Sequence, residues 1–268
     1  TDLTADTAWS VAAYSPDGER RSRVSRFRTA LGPDQSRIIR FGATSCLGFM
    51  NPAFPTLSHA SRENLDFFLL AGDTVYADGS LTLQQYQDVW ADAFLSPGMR
   101  DLFSSTSVVS TWDDHEVTNN WSWTDWNIGE IFDGAYTAYR DAIPWREGPG
   151  GTGLWRRLSW GDAVDIYVLD SRGERVEGRY VSVEQLDWLK AWLLESPATF
   201  KIILNSVPIT DMNGLYGPIE IQDRWDGYPD QRDEILEHIA GHDIQGVLWV
   251  AGDFHFSQLG RVDPPGGA

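Results

Sequence analysis

Three short stretches concentrate side chains able to bind cations or move protons. "AGDTVYADG" offers Asp73 and, three residues on, Tyr76. A carboxylate beside a glycine can bridge two cations, because its oxygens face different metals while the glycine lets the backbone come close. "WDDHEVTNN" gathers Asp113, Asp114, His115, Glu116, Asn119 and Asn120. Carboxylates so dense are costly without a cation, since each raises its neighbour's pKa. An acid-rich helix N-terminus accounts for Asp113 and Glu116 better than for His115 and the asparagines. "GDFHFS" sets Asp253 and His255 two apart, so that in extended backbone both point to one side and offer a metal one oxygen and one nitrogen. Each stretch alone has a plainer reading: a Gly-Asp turn beside a core tyrosine, or a hydrogen-bonded Asp-His pair.

Two single residues join them. Cys46, in "ATSC", is the sole cysteine, so no internal disulfide forms. A lone cysteine is ordinarily a small buried hydrophobe; among acids and a histidine it becomes a thiolate suited to iron or zinc. Arg172, in "LDSRGER" beside Asp170, either holds a phosphate by paired hydrogen bonds or pairs with nearby acids.

The elements carrying these residues repeat one pattern. "RIIRFGATSC", "DFFLLAGD", "SVVSTWDDH", "VDIYVLDSR", "KIILNS" and "GVLWVAGDFH" each run apolar and end on a polar residue of catalytic type. Such runs predict strands buried on both faces. In layered α/β folds ligands bind beyond the carboxyl ends of these strands, so six such endings imply one convergent site. Between them "SVEQLDWLKAWLLE" predicts a helix capped by Ser182 and Gln185 with Leu186, Leu189 and Leu193 on one face. "DQRDEILEHIAGHD" predicts another from Asp230 to near Gly241, with His238 and His242 at the surface. Residues 1–33, with a Pro-Asp-Gly turn, predict a β-hairpin or a fragment of a small β module, whose "RRSR" run reads as a solvated strand face. Two long stretches, Gly48 to Glu63 and the Trp-rich Asn119 to Gly153, predict lids or binding loops.

Composition narrows the chemistry. A formal charge of -18 argues against a basic surface for nucleic acid, and an anionic substrate would need bound cations to reverse the local sign. No apolar run reaches the ~20 residues of a membrane span. The sequence opens at Thr1 without the basic and apolar regions of a signal peptide.

Taken in order, "SC…GDTVY…WDDHEVTNN…LDSR…GDFH" resembles the PhoD-like alkaline phosphatases and phosphodiesterases of the calcineurin-like metallophosphoesterase superfamily, from about Arg40 to Gln258. The resemblance implies an α/β fold, a four-layer αββα sandwich with a short N-terminal β segment, divided as 1–33 and 34–268. It implies Fe3+ and Ca2+, with Zn2+ or Mn2+ as alternatives. Cys46, Asp73, Tyr76, Asp253 and His255 would then ligate iron, and Asp73 would bridge to calcium. Asn120, or failing it Asn119, would contact calcium or phosphate. His115, with Asp114, would polarise the phosphate or protonate the leaving group, and Arg172 would stand on the phosphate side. Where the wider superfamily keeps an Asp-x-His this chain has Ser45-Cys46, and the histidine usual after the late strand is replaced near Asn205-Ser206. Relatives usually continue past "GDFHFSQLGRV", so a chain shortened at its C-terminus is expected.

The expected activity is hydrolysis of phosphate mono- or diesters by a small-molecule enzyme, monomeric and extracytoplasmic, the location following from the resemblance alone. One rival is a phospholipase D-type phosphodiesterase on the same fold. The other is a calcium-dependent carbohydrate-binding protein that stacks sugars on Trp121, Trp123 and Trp126.

Overall fold

In the computed structural model, which describes residues 3–48, 53–217 and 220–263, the chain forms β1 (Ala8–Val11), β2 (Ser25–Arg28), β3 (Phe41–Thr44), α1 (Pro55–Ala60), β4 (Phe67–Ala71), α2 (Leu83–Leu95), α3 (Pro97–Phe103), β5 (Ser107–Thr111), α4 (Ile128–Ala142), β6 (Arg156–Trp160), β7 (Val164–Val168), α5 (Val183–Glu195), β8 (Phe200–Leu204), α6 (Asn213–Tyr216), α7 (Pro229–Gly241) and β9 (Val247–Val250). Two 3-10 turns, Ile221–Asp223 and Trp225–Gly227, precede α7.

All six apolar runs are strands, and their registers explain the convergence of their ends. The first sheet has the order β3-β4-β5 and is parallel, with Thr44 level with Leu70 and Ala71 level with Thr111. The second has the order β6-β7-β8-β9, parallel from β7 onward, with Val168, Leu204 and Val250 level. Residues that follow these strands therefore leave at one edge of each sheet.

The two-residue period of a strand sorts its side chains into different layers. Phe67 and Leu69 of β4 meet Ile166 and Val168 of β7 in an apolar core between the sheets. Phe68 and Leu70 face the other way, onto Tyr86 and Trp90 of α2 and Ile131 and Tyr139 of α4. Tyr167 and Ile203 pack on Leu186 and Leu189 of α5 and Ile235 of α7. The result is helix, sheet, sheet, helix, which is why β4 and β7 are buried at every position. Trp90, Trp112, Trp121 and Trp225 are fully buried in these layers.

Several expectations about local structure are refined. Ser182 caps α5 by accepting from the Gln185 amide, but the Gln185 side chain does not return to Ser182; it holds the Asp170 backbone and Glu174 instead. α7 starts one residue early, at Pro229, whose fixed φ suits a first helical turn. His242 is exposed, while His238 is half-buried against the Lys190 carbonyl at 3.0 Å. The Trp-rich stretch is loop only in part: α4 fills residues 128–142, with irregular chain on either side. Gly48 to Glu63 contains α1, and residues 49–52 lie outside the described residues. β6 was not foreseen, since "RRLSW" lacks an apolar run; its Arg156 is buried and donates to the carbonyls of Leu154 and Ser110. β1 and β2 pair antiparallel, and an Arg23–Asp101 ion pair ties the exposed basic run to α3.

Candidate metal centre

Past the strand ends the backbone turns sharply toward one point. Cys46, Asp73, Asn120, Asp253 and His255 all adopt left-handed backbone, with φ of 53°, 52°, 51°, 70° and 55°. Residues other than glycine rarely do so, and such strain gathers at functional sites. The β3–β4 ladder continues into the site, with the Cys46 amide donating to the Gly72 carbonyl at 3.2 Å and the Leu47 amide to that of Asp73 at 2.8 Å.

The turns bring the predicted side chains together in three overlapping groups, each with ligand atoms within 4.8 Å of one another: Cys46, Asp73 and His255; Asp73, Asp114 and His115; and Asp73, Asp113, Asp114 and Asp253. Asp73 belongs to all three. Tyr76 joins the first through its hydroxyl, 3.1 Å from His255 Nε2, and its ring lies 4.1 Å from that of His115.

Electrostatics shows that this arrangement fits cations. Burial, then Asp113, Glu116 and Asp114, pushes the Asp73 carboxyl up to about 10. Burial and then Asp113 push Asp253 up to about 8, with Arg172 opposing. Burial, eased by Ser45 but reinforced by Asp73, pushes the Cys46 thiol up to about 12, and burial with Asp73 raises the Tyr76 phenol as well. Asp113 Oδ2 and Asp114 Oδ1 are buried with no hydrogen-bond partner among the described residues. Mutually repelling acids with unpartnered buried oxygens are costly unless positive charge enters. Sulfur, phenol and imidazole in one group suit a transition metal such as iron or zinc, and the carboxylates of the others an oxygen-seeking cation such as calcium.

Glu116 holds the floor of the site. Its carboxylate accepts from the amides of Asp73 (3.1 Å), Thr74 (2.7 Å) and Asp113 (2.8 Å), joining the loops after β4 and β5. No helix begins there, so the helix-terminus reading of Asp113 and Glu116 does not apply. Gly72 lets the two loops touch: it has φ +90°, and a Cβ there would meet Asp113 Cβ at 2.5 Å. Gly72→Ala is therefore expected to cost about 2 kcal/mol of stability by overpacking and to lower metal content, read by urea unfolding and elemental analysis of the same preparation. A fully loaded variant of unchanged stability would contradict this account of the glycine.

A sequence profile of the PhoD-like phosphatases matches residues 41–266, a span that includes every residue of the three groups. The chain belongs to the PhoD-like phosphatase family. Alkaline phosphatase D of Bacillus subtilis (strain 168) is 26% identical over 290 aligned positions, covering 90% of this chain and 50% of that protein. The chain thus spans about half the length of the curated relative it matches. A solved structure of PhoD superposes with a TM-score of 0.84 at 24% identity, over 93% of this chain and 57% of that one. A purple acid phosphatase from yellow lupin (Lupinus luteus) seeds gives 0.53 at 16% identity, over 85% and 43%. Both likenesses establish an α/β metallophosphoesterase-type fold.

In this member of the family, His115 is held by a residue that its sequence motif did not mark as functional. Asp78 Oδ2 lies 2.6 Å from His115 Nδ1, and its Oδ1 accepts from the Asn119 amide at 2.6 Å. With Nδ1 engaged, Nε2 is the ring nitrogen left for the site. Burial lowers the His115 pKa, but Asp78 and Asp114 outweigh it and the net shift is upward. Asp78 was legible in principle, two residues beyond Tyr76 in the same motif. Asp114 also orients its neighbour, accepting from the Asn120 amide at 2.5 Å.

Other positions differ from expectation. The Asn119 side chain is exposed, while Asn120 lines a cavity of about 240 Å³ with Asp253 and His255. A second, open cleft of about 660 Å³ runs beside Cys46, Tyr76 and His255. Arg172 is not at a rim: its side chain is wholly buried and ion-paired with Asp113 and Asp223. The three tryptophans form no common platform. Trp121 is buried against Trp112, Trp123 donates to the Gly173 carbonyl, and Trp126 is exposed. Asn205 is buried and donates to the Val207 carbonyl.

Proposed function

We propose that this chain hydrolyses phosphate esters with water as nucleophile, at the Asp73-centred groups on the strand ends of both sheets. The observation carrying this reading is that one carboxylate is common to three ligand groups beside a histidine whose Nδ1 is already engaged. We assign Cys46, Asp73, Tyr76, Asp253 and His255 to a ferric ion, and Asp73, Asp114 and Asn120 to calcium. Cations held there would neutralise phosphoryl oxygens and lower the pKa of a water to a working range.

The protein's own groups do the rest. His115, whose pKa is raised, keeps a proton at Nε2 for the departing alkoxide. Asn120, on the wall of the small cavity with its backbone amide held by Asp114, would present its side chain to the calcium that faces the phosphoryl oxygens. The acidic surface makes this local reversal of charge necessary for an anionic substrate. The carbohydrate reading loses its motivation with Trp121 buried. An extracytoplasmic location is proposed on the family resemblance.

Turnover of chromogenic mono- and diesters by metal-loaded protein tests the activity and separates the phosphatase from the phosphodiesterase reading; no turnover of either would sink both. A Tyr76 phenolate on ferric iron should give a visible charge-transfer band. His115→Gln is expected to cost roughly 10²- to 10⁴-fold in kcat with alkyl esters and much less with a nitrophenyl ester, whose leaving group needs no proton. Equal losses on both substrates would remove His115 from the acid role.

A further inference from the structure

The metal-facing residues come from two sheets that share no hydrogen-bonded strand pair. Cys46, Asp73, Asp114 and His115 follow β3, β4 and β5, whereas Asp253 and His255 follow β9. The seam between the sheets is mostly apolar, and apolar packing is non-directional. Hydrogen bonds from Thr111 Oγ1 to the Leu169 carbonyl (2.6 Å) and from Trp112 Nε1 to Asp170 (2.7 Å) cross it near the site. Neither touches the metal-facing carboxylates.

Arg172, which follows β7, does. Its Nε donates to Asp113 of the first sheet's loop, and its Nη2 stands 3.7 Å from Asp114 Oδ1 and 3.9 Å from Asp253 Oδ1. The other end of the guanidinium forks Asp223 in the turn Ile221–Asp223, Nη1 to one oxygen and Nη2 to the other at 2.9 Å. Asp223 is fixed in turn by Arg175 Nη1 at 2.7 Å, and Arg175 Nη2 reaches the Trp121 carbonyl at 2.5 Å, beyond the loop from β5. The Tyr180 hydroxyl donates to the Asp223 carbonyl at 3.2 Å. The Arg172 side chain has no exposed surface, so a phosphate arriving from solvent does not meet it.

We infer that Arg172 and Asp223 form a clamp across the two sheets that positions the mixed ligand group Cys46, Asp73 and His255, and that Arg172 is a positioning residue rather than a phosphate contact. The inference rests on the metal-centre reading above. A planar fork of five donors suits this task, since it fixes direction as well as charge. The geometry also makes the effect selective. Cys46 and His255 stand on opposite sides of the seam, whereas Asp73, Asp114 and His115 all come from one sheet whose loops Glu116 also ties together. Loosening the clamp therefore disturbs the first group more than the second, which Arg172 meets only at 3.7 Å from Asp114 Oδ1.

Two titrations separate the groups. Cobalt(II) bound by a thiolate absorbs through sulfur-to-metal charge transfer, which reports the Cys46 group; calcium followed by calorimetry reports the one-sheet group. In Asp223→Asn, cobalt binding should weaken about tenfold or more while calcium binding stays within about threefold, the size seen when a partner behind a ligand is removed. Arg172→Lys should behave alike, because an ammonium keeps the charge but cannot hold Asp113 and Asp223 together. Near-UV circular dichroism checks that each variant is folded. Arg175→Lys, which loosens Asp223 with Arg172 intact, carries the same expectation at smaller size if either variant unfolds. Parallel changes in both affinities, no change in either, or a wild-type-like Arg172→Lys would overturn the clamp. So would weaker competition by inorganic phosphate with cobalt binding unaltered. Wild-type protein lacking the thiolate–cobalt band would overturn the metal-centre reading and the clamp with it; a normal wild-type band with unaltered binding in Asp223→Asn would overturn the clamp alone.

Discussion

Asp73→Asn is expected to abolish turnover while making the metal-free protein more stable. Asp73 belongs to every ligand group of the site, so an amide in its place weakens all of them at once. If bound cations supply about 4 kcal/mol of transition-state stabilisation, their loss is worth on the order of 10³-fold in kcat. The stability gain follows from the same residue. Without cations burial and then Asp113, Glu116 and Asp114 force Asp73 to keep a proton that the unfolded chain releases, and an amide, neutral at every pH, removes that cost. Chelated wild type and variant compared by urea unfolding, alongside turnover of the loaded proteins, check both halves. A variant that loses activity and is also less stable than chelated wild type would contradict the electrostatic account.

The second large effect is an inverted dependence of metal-free stability on pH. Asp73 at about 10, Asp253 at about 8, Glu116 at about 7 and Asp113 at about 6 all lie above their usual values, with burial the leading cause for each. The folded protein therefore retains protons that the unfolded chain releases above pH 4 to 5. The associated stability is full below that pH and is lost as pH rises through 6 to 10. Asp223 acts oppositely: burial would raise it, but Arg172 and Arg175 hold it down at about 2, so its contribution fades only in stronger acid. Chelated protein should thus be most stable near pH 4 to 5 and lose on the order of several kcal/mol by pH 9. Cations remove the penalty, so the stabilisation they confer should grow with pH. Denaturant unfolding from pH 5 to 9, with and without chelator, measures this; a metal-free curve that is flat or rises with pH would refute it.

How much of this was legible depends on what each residue needed. The strand before Asp73 was readable because burial on both faces leaves an unbroken apolar run. Those before Cys46 and Asp253 were located by equally apolar runs, but β3 and β9 lie at sheet edges and are exposed or half-buried rather than buried on both faces, and β5, before Asp114, is buried only toward its end. The partners that hold these residues were not readable. Asp223 sits in a 3-10 turn without periodicity, and Glu116 is defined by three backbone amides, two of them from another loop. Arg172 left two readings open, and only burial separates them. α4 carries a helical stripe at Ile128, Ile131, Ala135, Ala138 and Tyr139, obscured by Gly129, Gly134 and the neighbouring tryptophans. Gly134 has its own reason: a Cβ there would meet the Leu83 amide of α2 at 3.1 Å.

The division of ligands between the sheets also bears on the order in which the site can form. A chain synthesised from its N-terminus has Asp73, Asp114 and His115 in hand once β3 to β5 have emerged, and with α2 and α4 that half can begin to pack. The group of Cys46, Asp73 and His255 waits for β9, most of the sequence later. Under the proposed assignment, metal capture by the mixed group would follow completion of both halves, and its occupancy would distinguish a finished molecule from a half-folded nascent chain.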